Sequence, residues 1–257
     1  AIVAVGLAVA AGLAIKIPEL FGLSIRGGDA ETSFYARNFS LFVLPFLAGY
    51  FTWKRKLNRV SSYWLAVPFI VGALVVNILP FEQGGHTEAL AALHLPIALW
   101  LSVGFAYIRG RWGDHDWRMN FVRFSGEWFI YYALIAFGGG VMMMCTAAVF
   151  NAIGFDVEWF LEAWMLPVGV SGAVLISAWL VEAKQSVIEN MAPVLTRLFT
   201  PLFTIMLLAF LVTMIWTGRG IDVGREVLIT FDLLLVLVLG LLLYSISARD
   251  TQSPPGA

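Results

Sequence analysis

The chain has 257 residues, of which 60% are hydrophobic and only 13% charged, and its formal net charge is −1. A soluble domain normally carries about 25% charged and about 45–50% apolar residues, so this composition excludes an ordinary water-soluble enzyme. Near-neutral charge, with no basic run beyond Lys54, Arg55, Lys56 and Arg59, gives no sign of a nucleic-acid partner, and a single cysteine, Cys145, excludes an intrachain disulfide or a cysteine-based zinc site.

In chain order, the first apolar run is Ala1 to Ile15, followed by a polar stretch from Lys16 to about Ser33 with an Arg26-Gly27-Gly28-Asp29 turn signal. Further apolar runs follow at about Phe34–Trp53, Val60–Pro80, Ala89–Ile108, Phe124–Ile153, Trp159–Val181, Leu198–Trp216 and Glu226–Ile246. Most are close to the roughly 20 residues that cross a hydrocarbon core about 30 Å thick, and most lack the polar stripe of a soluble helix. The expected fold is therefore an all-α, polytopic transmembrane bundle of about eight spans, one domain over residues 1–250. The fifth run is the longest and is open to a tilt, kink or break. Glu182 to Arg197, with Pro193, reads as an amphipathic connector along the membrane surface. The start lacks an initiator Met, and residues 251–257, with Ser253-Pro254-Pro255-Gly256-Ala257, read as a linker, so both ends look cut from a longer protein.

Orientation follows from Lys and Arg in alternate loops. Lys54, Arg55, Lys56, Arg59, Arg109, Arg111, Arg118, Arg123, Lys184, Arg197 and Arg249 fall on one side, whereas Lys16, Arg26, Arg37, Arg219 and Arg225 fall on the other. The richer side is expected to be cytoplasmic, with the start of the first segment inside. Tryptophans 53, 64, 100, 128, 159, 164, 179 and 216 lie near span ends, as interfacial anchors or as ordinary packing residues.

Polar side chains inside lipid cost a few kcal/mol on insertion scales and normally face protein. Arg37, Asn77, His94, Glu162 and Asp232 all fall in the outer half of their spans, roughly 5–9 Å below the interface at helical rise. They would suit an outward-opening site for a cation, a proton or a small polar solute, or else pair across helices and snorkel to headgroups. Glu127, four residues after Arg123, reads as an ion pair at headgroup level. Gly138, Gly139 and Gly140 in mid-span read as close packing or a helix break, as does Pro167 with Gly169 and Gly172. Met142-Met143-Met144-Cys145 looks like a soft-metal set, but neighbours about 100° apart on a helix cannot converge on one ion. Asp114-His115-Asp116 sits among basic loop residues and reads as solvated pairing. There is no nucleotide-binding glycine loop, nucleophile elbow or zinc-protease motif, so no cofactor and no catalytic residue is expected.

The stretches Phe124 to Tyr132, Gly138 to Gly140, Phe199 to Phe203, Trp216 to Asp222, Phe231 to Leu235 and Ser247 to Asp250 resemble a bacterial membrane family, domain of unknown function 4153. The resemblance covers most of the chain from the second span onward. It implies a bacterial inner-membrane protein with further spans after residue 250, and it brings no activity, substrate or site residues. It suggests that Asp222 and Asp232 belong to a recurrent patch and assigns them no role. The partners expected are the lipid bilayer and a small solute or ion. A permease-like transporter leads over a non-catalytic scaffold or sensor, and over a membrane enzyme acting on a lipid-linked substrate.

Overall fold

The computed structural model describes residues 2–25, 27–82, 84–183, 191–218 and 225–247, with side chains described except at 29–31, 191–197, 225–227, 230–231, 241 and 244–247. Every regular element among the described residues is helical. The order is α1 (Ile2–Ala14), a 3-10 turn (Ile17–Phe21), α2 (Asp29–Arg55), α3 (Arg59–Ile78), α4 (His86–Tyr107), α5 (His115–Asn151), α6 (Glu158–Phe160), a π turn (Leu161–Met165), α7 (Leu166–Ala183), α8 (Met191–Thr217) and α9 (Arg225–Ser247).

Among the described residues six stretches are long and apolar enough to cross a membrane: Ile2–Phe21, Arg59–Ile78, His86–Tyr107, His115–Asn151, Glu158–Ala183 and Leu198–Thr217. The other two expected spans fall on α2 and α9. At 27 residues α2 is long enough, but Arg37, Asn38 and two tyrosines, Tyr35 and Tyr50, dilute its hydropathy. α9 has 23 residues, several of whose side chains lie outside those described. Of the connector expected from Glu182 to Arg197, Glu182 belongs to α7 and residues 191–197 to α8, whereas residues 184–190, like Asp222, lie outside the described residues. The exposed surface is oily: Phe137 and Met144 are each 75% exposed and Ile78 71%. Water would penalise such a surface and hydrocarbon would not, so the pattern is that of a multi-pass membrane protein.

The described helices form two compact units. One comprises Ala1–Tyr132 with Glu162–Ala183, the other Ala133–Leu161 with Lys184–Ala257. In the first unit α1 packs on α7 and α2, and α2 also packs on α3, α4 and α7. The α1 contact is a small-residue stripe, with Ala4, Ala8, Ala11 and Gly12 buried at helical spacing. A Cβ on Gly12 would stand 2.7 Å from Val168 Cγ1 and 3.3 Å from its Cα, so only glycine permits this approach. Lipid tails are as apolar as leucine, and close backbone approach is then the main attraction between helices. α7 meets α1 with Val168 and Gly172, and Ser171 between them is fully buried and donates its hydroxyl to the Pro167 carbonyl at 2.7 Å.

Aromatic rings fill the rest of that core. Phe51 meets Phe124 edge-on at 5.3 Å, and Tyr107 stacks on Phe124 at 4.7 Å. Trp100 and Trp128 lie 4.3 Å apart; their indoles donate to Ser125 Oγ at 3.1 Å and to the Val174 carbonyl at 3.0 Å. These two tryptophans are packing residues. Trp53, Trp64, Trp159, Trp164 and Trp216 are exposed, as interfacial anchors would be.

α5 runs unbroken through the glycine triplet. A Cβ on Gly138 would overlap the Phe199 ring of α8, whereas Gly139 and Gly140 face open space, so Gly138 serves close packing within the second unit. α5 also begins earlier than the fifth apolar run, because Asp114 Oδ1 accepts from the Asp116 N–H at 3.1 Å and caps the new helix. That bond gives the Asp114-His115-Asp116 motif its structural role. Before α7 the π turn adds a residue, and Pro167 supplies no N–H to the Ala163 carbonyl four residues earlier. Lys16 Nζ of the first unit donates to that carbonyl at 2.6 Å. The helix is thus irregular just before Pro167, and Lys16 beyond α1 satisfies the carbonyl concerned.

Candidate polar site between α2, α3 and α4

Hydrogen-bond demand dictates how polar side chains are placed in this setting, because an unpaired polar group in a dry interior is costly. At one end of the first unit, Glu88 lies in the first turn of α4 and is 7% exposed. Its Oε2 accepts the Gly84 N–H at 2.8 Å, and its Oε1 accepts the Ser33 hydroxyl of α2. Arg37, one turn along α2 from Ser33, brings Nε to 3.3 Å from the same Oε1 and lays its guanidinium 5.3 Å from the Phe81 ring centroid. The ion pair is largely buried, the side chains being 17% and 9% exposed.

Beside it stands an amide pair. Asn38 Nδ2 donates to Asn77 Oδ1 at 3.2 Å and to the Phe34 carbonyl at 2.9 Å. Asn77 Nδ2 donates to Asn38 Oδ1 at 2.8 Å and to the Ala73 carbonyl at 2.9 Å. All four N–H bonds are used, so this pair is complete and joins α2 to α3. The Arg37 pair is not complete. Arg37 Nε has no hydrogen-bond partner despite the close carboxylate, because its N–H points off the Oε1 direction, and the buried Ser40 hydroxyl has none either. Ser33, Arg37 and Ser40 are spaced i, i+4, i+7 and so share one face of α2.

The five polar residues singled out in the sequence therefore separate. Arg37 and Asn77 come to the same end of α2 and α3, in adjacent networks. His94 lies on an exposed face of α4, its Nδ1 2.8 Å from the Leu90 carbonyl. Glu162 is exposed in the π turn, beside the carbonyl that Lys16 reaches. Asp232 is exposed on α9, in the second unit. Sequence reasoning missed Glu88, which stands just ahead of the fourth apolar run as read from Ala89, and the partners Ser33, Asn38 and Ser40. A signal existed: Gly85 followed by an acid in the first turn is a helix start.

At the opposite end of the first unit, Glu182 closes α7. It accepts from Lys54 Nζ at 2.8 Å and from Arg55 Nη2 at 2.7 Å, with the Arg55 guanidinium 4.6 Å from the Tyr107 ring centroid. Arg123 and Glu127 pair at 2.9 Å, as their spacing implied. Among the described residues no three His, Cys, Asp or Glu side chains are placed to hold a metal. In the Met142–Cys145 run, Met142 is buried and Met144 exposed, as helical geometry requires.

No protein-family model, no curated protein and no solved structure matches this chain.

Proposed function

We propose that the chain is an integral protein of the bacterial inner membrane, with about eight spans and the start of α1 cytoplasmic, and that it acts as a permease-like carrier of a small polar solute or ion. The excess of Lys and Arg on one side supports the orientation, and the resemblance to domain of unknown function 4153 supports the membrane assigned. The observation that carries the transport reading is the unfinished hydrogen bonding of Arg37 and Ser40 next to a buried carboxylate. A solute oxygen is the acceptor that would complete this bonding, with Glu88 holding the guanidinium beside it. His94 and Asp232 add a proton- or cation-linked step only where water reaches them. A membrane enzyme acting on a lipid-linked substrate is the third reading, and no observation favours it.

A scaffold or sensor is the second reading, favoured by the complete Asn38–Asn77 pair and the close-packed Gly12 and Gly138. The two are separated with full-length protein in proteoliposomes, recording currents on a supported membrane after jumps in inorganic ions, amino acids and sugars. Transport predicts a solute-dependent signal that Ser40→Ala alters and Glu88→Gln abolishes, with both variants still monodisperse. The Ser40 variant is informative because its hydroxyl binds no protein group, so removing it breaks no hydrogen bond of the fold. Absence of any signal across the panel, or a signal indifferent to both variants, refutes transport through this site.

A further inference from the structure

We infer that the first unit carries a binding site for an anionic phospholipid at its Lys54 end, remote from the Arg37–Glu88 network. A cavity of about 620 Å³ opens there between α1, α2 and α7, lined by Ile2, Val3, Ala4, Tyr50, Trp53 and Trp179, with Lys54 and Lys56 at its rim. The volume lies within the range of about 300–1,000 Å³ typical of ligand pockets. The walls are aliphatic and aromatic, and the only charges lining it are two ammonium groups. Such a division matches a molecule with hydrocarbon at one end and a phosphodiester at the other.

Charge complementarity selects the headgroup. Among the described residues Glu182 is the carboxylate that Lys54 and Arg55 engage, and Lys56 follows them in the chain as a third cation. Among the described residues that is three cations against one anion, two positive charges in excess. Lys56 is exposed and has no acidic partner among the described residues, and the backbone places it at the end of α2 with φ of 52°. Arg55 Nε is buried without an acceptor. Trp53, Trp179 and Tyr50 are the residue types that sit at headgroup depth. Basic pockets between spanning helices on the cytoplasmic side take anionic headgroups, and the positive-inside orientation puts this cavity there. A zwitterionic lipid fills the apolar walls equally well and leaves the excess charge unanswered.

The test is native mass spectrometry of the full-length protein, released from detergent and titrated with phosphatidylglycerol or phosphatidylcholine of identical chains. The site predicts retention of one phosphatidylglycerol in preference to phosphatidylcholine. Lys56→Asn, in which Asn tolerates the left-handed backbone, should weaken that preference about fivefold, the effect of one basic group near a phosphate. Trp179→Ala should weaken both lipids alike, and Arg59→Gln, a basic residue outside the cavity lining, should change neither. Equal retention of the two lipids, a preference untouched by Lys56→Asn, or exclusion of both lipids overturns the proposal. None of these outcomes bears on transport through the Arg37 site, so the two ideas fail separately.

Discussion

Removing the Glu88 charge is the perturbation whose size follows most directly from the structure. At 3.3 Å, a unit pair in a medium of effective dielectric near 20 attracts by roughly 5 kcal/mol before desolvation is counted. Desolvation offsets much of this in the intact pair, but it is not refunded when one partner is neutralised. Glu88→Gln therefore leaves Arg37 buried and uncompensated, for which about 3–5 kcal/mol is typical. We expect about 3 kcal/mol, because Arg37 keeps 17% exposure and can move toward headgroups. Arg37→Gln should cost less, since the Gly84 N–H and the Ser33 hydroxyl still hold the carboxylate. The double variant places two amides together and should lie within about 1 kcal/mol of the wild type, a coupling of at least about 2 kcal/mol. The assay is reversible unfolding in bicelles by steric trapping, applied to all four members of the cycle. Additive single effects, with coupling below about 0.5 kcal/mol, would refute the claim that the pair is buried and interdependent.

Further outcomes follow from packing. Gly12→Leu should separate α1 from α7, seen as protease sensitivity of α1 with α2 to α4 intact, because the added carbon meets Val168 backbone as well as side chain. Gly138→Ala should destabilise the second unit, and Phe199→Leu should recover part of the loss by freeing the ring's space. Phe124→Ala removes a ring that meets Phe51, Trp100, Tyr107 and Phe121; a cavity of up to about 100 Å³ at about 24 cal/mol per Å³ gives up to about 2.4 kcal/mol, measured by thermal unfolding in detergent. The cavity term alone applies, since lipid supplies no hydrophobic transfer term. Asn77→Ala should cost about 0.6 kcal/mol and no more than about 1.7 kcal/mol, the measured range for interhelical hydrogen bonds in bilayers.

The helical class and most boundaries were legible in the sequence because hydrocarbon thickness sets the length of an apolar run. Arg123–Glu127 was legible too, since both members lie on one helix at a fixed spacing. Arg37 drew attention as a cation inside an apolar run, but Glu88 did not. It lies 51 residues away in sequence, at a helix start that a residue-by-residue hydropathy reading merges with the loop. The Asn38–Asn77 pair had the same difficulty: Asn77 was conspicuous and its partner was not, because pairing is decided by how α2 and α3 turn about their axes. The small-residue stripe of α1 was hidden by uniformity, since alanine looks apolar whether it faces lipid or another helix. Lys16 reads as a loop cation, yet it is 7% exposed and satisfies a carbonyl that a proline left open. The lysine-rimmed cavity drew its walls from three helices and left no local signature. Its charges registered only as a topology signal.

Topology is the claim on which both sites stand, and single-cysteine labelling tests it most directly. In a Cys145→Ser background, cysteines placed one at a time at Leu20, Asp156, Asn58 and Gly113 are challenged in intact cells with a membrane-impermeant maleimide. The account predicts prompt labelling at 20 and 156, and protection at 58 and 113 until the membrane is permeabilised. Labelling of all four in intact cells, or the reverse pattern, would contradict it.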